Sequence, residues 1–274
     1  VGGGGAAGGG SGDGGGVVRP TPDSGFVSFR ETDEGETLRA AAIVQRSNGG
    51  ADYGGRADFR LDDDERFDLL DVTGAGTSAS WSGGELRCSG TRCLLRDGDD
   101  SDHNVGRVTL PDAFDWNYQT FGYWIDDRSS SGRVATAFSM GNPTPAGAEI
   151  SRSSASYDGR ARGVYTDGGE LFEMDARMSA RVDFRDREID FSTSSTRLTS
   201  VGSDRYRSAG RLDMDGTLTI GDGYRFSGRV ETERSLAGTA TGTFYGPDAQ
   251  EIGGTFSLGA GDETLTGAFG GRRR

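Results

Sequence analysis

The chain of 274 residues contains no lysine; all 30 of its basic residues are arginine. It has one histidine, two cysteines and six prolines. No stretch approaches the roughly 20 apolar residues of a membrane-spanning helix, which excludes a helical span. The missing lysine matches coding bias in a GC-rich genome. Arginine chosen for bidentate contacts would cluster at a site. Here the arginines are scattered, and only Arg272-Arg273-Arg274 forms a run. With His103 as the single imidazole and no Gly-x-Ser-x-Gly elbow, nothing supports a Ser-His-Asp set, and no enzyme is expected. Only 32% of residues are hydrophobic, which argues against one thick core and suits thin sheets with every second residue in water. The formal charge of −13 repels phosphate backbones and argues against nucleic acid as a partner.

What the chain has in excess is glycine, 48 residues in all. Gly2 to Gly16 is nearly all glycine and reads as a flexible tether continuing to residue 24. The first residue is Val rather than Met, so removal of an N-terminal piece is expected. Residues 25–117 read as a small, mostly β module of short strands. Within it, Asp62-Asp63-Asp64-Glu65 is an acidic turn between two apolar runs. Cys88 and Cys93 flank a tight Ser-Gly turn, so an exported chain is expected to bridge them with a disulfide. A metal pair is the alternative reading, and it needs partner ligands that the chain lacks.

From residue 118 the strands come at close spacing. Phe172, Met174, Ala176, Met178, Ala180, Val182 and Phe184 occupy every second position, with charged or hydroxyl residues between them. That period of two marks a long strand with one buried and one wet face. So long a strand needs partners on both edges. Eight or nine such strands in succession satisfy their edges best by closing into an up-and-down barrel, here over 118–274. The inward residues are Phe, Met, Leu, Ala and Gly, so the predicted interior is packed. The outward residues are charged, so the barrel stands in water rather than lipid. Glycines within strands suit a sheet that curls on itself.

The run Gly242-Thr243-Phe244-Tyr245-Gly246-Pro247-Asp248-Ala249-Gln250-Glu251-Ile252-Gly253-Gly254-Thr255-Phe256 resembles the closing hairpin of transferrin-binding-protein-B-like surface lipoproteins. So do Gly267 to Arg272 and Ala155-Ser156-Tyr157-Asp158-Gly159-Arg160-Ala161. The resemblance implies a handle domain followed by an eight-stranded barrel. It also implies a lipid anchor on a cysteine before Val1, the outer membrane of a Gram-negative cell, and display at the cell surface. It further implies binding of a protein or small iron-bearing solute, with a structural role at the surface as the alternative. The family's ligand-binding residues lie on variable loops, so none carries over. The candidate recognition loops are 126–133, 141–149 and 193–207.

Two chemical sites come from the residues themselves. His103 is a candidate haem ligand, with Tyr118, Tyr123 or Met140 as the second. Asp100, Asp102, Asn104 and Gly106 superficially resemble a calcium loop. The glycine comes one place late and no bidentate glutamate follows, so no metal site is expected.

Overall fold

The computed structural model describes residues 18–19, 28–29, 35–96, 105–126, 133–200, 205–233 and 235–274. Helical structure among these is limited to four three-residue 3-10 turns, and all else that is regular is β. The N-terminal sheet contains β1 (Val18–Arg19), β2 (Thr37–Arg46), β3 (Ala51–Leu61), β4 (Phe67–Gly74) and β5 (Thr77–Ser82). It continues with β6 (Leu86–Ser89), β7 (Arg92–Leu95), β8 (Val105–Thr109), β9 (Gln119–Asp126) and β10 (Val134–Gly141). Its order is β5-β4-β3-β2-β10-β9-β8-β7-β6, with β1 pairing β2 in parallel. The sheet wraps around a core that includes Phe59, Leu70, Trp81, Trp124, Phe138 and Met140. Cys88 and Cys93 stand opposite each other on β6 and β7 and are joined by a disulfide.

The C-terminal sheet contains β11 (Ser154–Asp167), β12 (Glu170–Asp183), β13 (Glu188–Ser200), β14 (Tyr206–Ser208) and β15 (Met214–Ile220). It ends with β16 (Arg225–Thr232), β17 (Ala237–Tyr245), β18 (Glu251–Ala260) and β19 (Glu263–Arg273). Each long strand pairs antiparallel with the next, and β11 pairs with both β12 and β19, so eight strands close into an up-and-down barrel. The ninth, β14, lies beside the far half of β13. Between the partners β15 and β14, β13 carries a bulge, with Ser195 at φ 59° and the register against β12 slipping between Asp175 and Arg177.

The expected period of two in β12 is realised, since Met174, Ala176, Met178, Ala180 and Val182 are all buried. Inward rows cross the strands with large and small residues in turn. One runs Phe226, Gly242, Gly254, Phe269, Ala161, Ala176. The next runs Ala240, Phe256, Gly267, Gly163, Met174, Leu198. A Cβ on Gly267 would sit 2.5 Å from Phe256 Cζ, so the glycine makes room for the ring. The interior is therefore filled by side chains, as a small barrel allows. A lipocalin-like ligand inside the lumen does not fit it.

The boundary expected at residue 118 does not hold. Strands β9 and β10 belong to the N-terminal sheet, where β10 pairs with β2 and β9 with β8. The handle thus extends to Gly141, and the barrel closes through Tyr157 to Thr166 on β11 against β19. The physical reason lies in burial. Nearly every residue of β9 and β10 is covered, Phe138 and Met140 by the handle core, and Phe121, Tyr123 and Ala137 by the barrel wall. A strand covered on both faces shows no alternation that would assign it to one sheet.

Candidate functional site at the handle–barrel junction

The barrel presents a wall of small residues to the handle. Val164 and Ala268 pack with Trp116, Phe121, Tyr123, Ile125, Ala135 and Ala137. Gly253 and Gly270 let the two sheets approach closely. A Cβ on Gly270 would lie 2.5 Å from Gln119 Nε2, and one on Gly253 would lie 2.8 Å from Ser139 Oγ. Sheet packing of this kind needs the outward positions to be short, which is why β18 and β19 lack the charged outer face expected of the whole barrel.

Polar groups then tie the layers together. Arg162, 5% exposed, donates from Nε to Asp175 Oδ2 at 2.9 Å within the barrel. It also donates to Thr91 Oγ1 at 2.9 Å and Thr109 Oγ1 at 3.1 Å in the handle. Its guanidinium lies 5.7 Å from the Phe114 ring centroid. Burial pulls its pKa down, while Asp175 opposes that pull. Glu173 on β12 pairs with Arg107 at 2.8 Å. Thr255 bonds Gln45 Oε1 at 3.1 Å, and Tyr245 and Ser139 share a hydroxyl pair at 2.9 Å. Burial raises the phenols of Tyr123 and Tyr245 well above the ordinary tyrosine range.

Glu251 opens β18 and accepts the backbone N–H groups of Asn117 at 2.6 Å and Tyr118 at 3.0 Å. Burial pushes its pKa up to about 7 in spite of those donors, which act the other way. Sequence reasoning missed this residue, although the notable motif around Gly246-Pro247 contains it. Gln119 is fully buried beside Gly270, and neither atom of its amide has a partner among the described residues. The two halves are therefore joined by a buried, partly charged interface.

Among the described residues, a crevice opens along this seam. It has a volume of about 420 Å³ and is lined by Ala41, Ile43, Tyr53, Pro143, Arg225 and Tyr245 among others. Tyr53 donates to the Phe226 carbonyl at 3.0 Å and lies 4.8 Å beneath the Arg225 guanidinium. It is a shallow notch of mixed polarity, with Arg225 and Asp222 among its lining residues.

The expected site residues are dispersed. His103 lies outside the described residues, as do Asp100, Asp102 and Asn104. Tyr123 and Met140 are sealed in different layers, Tyr123 against the barrel and Met140 in the handle core, so neither stands open to a haem. The Asp62 turn is closed by its own carboxylate, which accepts the N–H groups of Asp64 and Arg66 at 3.0 and 2.9 Å. No cluster of metal-ligating residues occurs among the described residues. Of the candidate loops, 127–132 and 201–204 lie outside the described residues, and Thr193 to Ser200 is strand rather than loop. The 141–149 segment carries the crossover between the domains, where Thr144 N bonds the Phe244 carbonyl at 2.8 Å.

Residues 146–273 match the model of the family described as the C-lobe and N-lobe β barrels of Tf-binding protein B. The chain is similar to the crystal structure of transferrin binding protein B from serogroup B Neisseria meningitidis. The TM-score is 0.53 at 20% identity, over 86% of this chain and 43% of that one. A variant of the Haemophilus parasuis protein gives 0.53 at 15%, over 85% and 45%. The N-lobe domain of lactoferrin binding protein B from Moraxella bovis gives 0.44 at 13%, over 85% and 99%. The chain thus spans less than half the length of the first two. No curated protein matches the sequence. The family match begins within the crossover that follows β10 and ends in β19, so it covers the closed barrel and nothing of the handle sheet. Residues 146–273 thus match the transferrin-binding-protein-B barrel family, and the handle-plus-barrel fold of the whole chain is similar to that of those solved structures.

Proposed function

We propose that the chain is a partner-binding module displayed on the outer membrane of a Gram-negative cell as part of a lipid-anchored protein. Its partner class is an iron-carrying protein of the transferrin or lactoferrin kind, and the role is iron acquisition. The family it resembles is one of binding proteins rather than catalysts. The observation that carries the proposal is the family barrel with a filled lumen. A barrel whose interior is occupied by buried side chains binds through its exterior, on loop ends and on the attached handle.

The test is surface plasmon resonance with the full chain immobilised. Transferrin and lactoferrin, each iron-loaded and iron-free, are passed over it, and haemin is titrated separately. Saturable binding of one iron-carrying protein supports the proposal. A haemin Soret shift lost in His103→Ala moves the assignment to haem. Absence of all three leaves a structural component of the cell surface.

A further inference from the structure

The barrel closes on itself and has no long open edge; the handle sheet has one. Among the described residues, strand β5 pairs with β4 alone. The sheet's other end, β6, has four residues and is pinned by the Cys88–Cys93 disulfide. Natural proteins guard an open edge with charge, proline or a bulge. The six residues of β5, Thr77-Ser78-Ala79-Ser80-Trp81-Ser82, carry no charge and no proline.

The direction of its unused groups follows from one contact. Ser82 N–H donates to Glu85 Oε2 at 2.9 Å, so that amide points away from β4. Alternate residues of an extended strand direct their N–H and C=O the same way. The main-chain groups of Ser78 and Ser80 therefore face the open side too. Both residues are exposed, and neither makes a backbone bond beyond β4 among the described residues.

Chemistry beside the edge says what suits it. On the outer face, Asp58, Asp71 and Ser80 form one cross-strand row. Asp58 is neutralised by Arg39 at 2.7 Å. Asp71 accepts the Ser80 hydroxyl and has no ion pair among the described residues. A polar shelf of about 610 Å³ lies over these residues, with Arg56 and Thr73 at its side.

We propose that β5 is a docking edge for an extended segment of a partner polypeptide, which adds as a strand and places an Arg or Lys opposite Ser80. Main-chain bonds to Ser78 and Ser80 supply the attachment, and the uncompensated Asp71 carboxylate selects the cation. A second copy of this chain is the poorer occupant, because another β5 carries no cation to place opposite Ser80. The proposal rests on the partner-binding function and deepens it. The assay below probes the edge alone, so it can fail while capture of an iron-carrying protein succeeds, and the reverse.

The probe is a ten-residue peptide of alternating Thr and Val with one central Arg, compared with the same peptide bearing Glu. Each is titrated to millimolar concentration into the isotopically labelled full chain. The Arg peptide is expected to shift the Ser78 and Ser80 amide resonances and slow their hydrogen exchange at least tenfold. The Glu peptide is expected to bind at least fivefold more weakly. Ser80→Pro removes the donor at a position where an edge strand tolerates proline, and is expected to abolish the shifts. Ser80→Lys places a cation beside Asp71 without altering the backbone, and is expected to weaken the Arg peptide selectively. Equal binding by both peptides, no shift at either serine, or undiminished binding by both variants overturns the proposal. So does a dimer in sedimentation that Ser80→Pro dissolves, which would assign the edge to self-pairing.

Discussion

Replacing Arg162 with Met tests whether the two domains are held as one unit. The substitution keeps an unbranched stem under Phe114 and removes the guanidinium. It deletes one charged bond to Asp175 and two to threonine hydroxyls across the seam. Loss of one partner of a buried ion pair costs about 3–5 kcal/mol when the other charge is stranded. Asp175 is not stranded, since its side chain is 28% exposed and Arg160 still pairs with it. The expected cost is therefore lower, about 2–3 kcal/mol, near that of a single charged bond. The chain's three tryptophans make the location readable. Trp81 and Trp124 lie in the handle core and Trp116 at the seam, and the barrel has none. Urea unfolding followed by tryptophan fluorescence reports the handle, while far-UV circular dichroism reports both sheets. Wild type is expected to give coincident transitions. Arg162→Met is expected to separate them, with fluorescence changing first. A shift under about 0.5 kcal/mol with coincident curves would refute the clamp.

Glu251 gives a pH signature. Its folded pKa of about 7 lies above the ordinary 4.5, so the folded state binds more protons between those values. Its contribution is most favourable below about pH 4.5 and is lost as pH rises through 7, up to about 3 kcal/mol. Unfolding free energies of wild type and Glu251→Gln, measured from pH 4.5 to 7.5, are expected to differ by an amount that falls with pH; a constant difference refutes the assignment. Gly270→Ala is expected to cost about 1–3 kcal/mol by driving a methyl into the buried Gln119 amide. Adding Gln119→Ala should recover at least about 1 kcal/mol of it, and strictly additive melting shifts would show that the two sheets do not touch there.

Much of the architecture is legible in the residues themselves. The alternation from Phe172 onward dictates a long strand with one buried face, because side chains of an extended chain point to opposite sides in turn. Eight such strands in sequence, with glycines placed to admit rings, dictate a closed and filled barrel. The turn around Gly246-Pro247 fixes its closing hairpin, β17 to β18. Gln119 carried no local signal and Glu251 only its place in the Gly246-Pro247 motif, because a carboxylate and an amide become unusual only when another sheet covers them. Tyr118 to Met140 was ambiguous for the same reason, since burial on both faces erases the period that assigns a strand to a sheet. Local pattern determined what each segment is. Only tertiary packing decided which sheet received β9 and β10, which barrel wall went dry, and which edge was left open, since those outcomes depend on contacts between residues far apart in the chain.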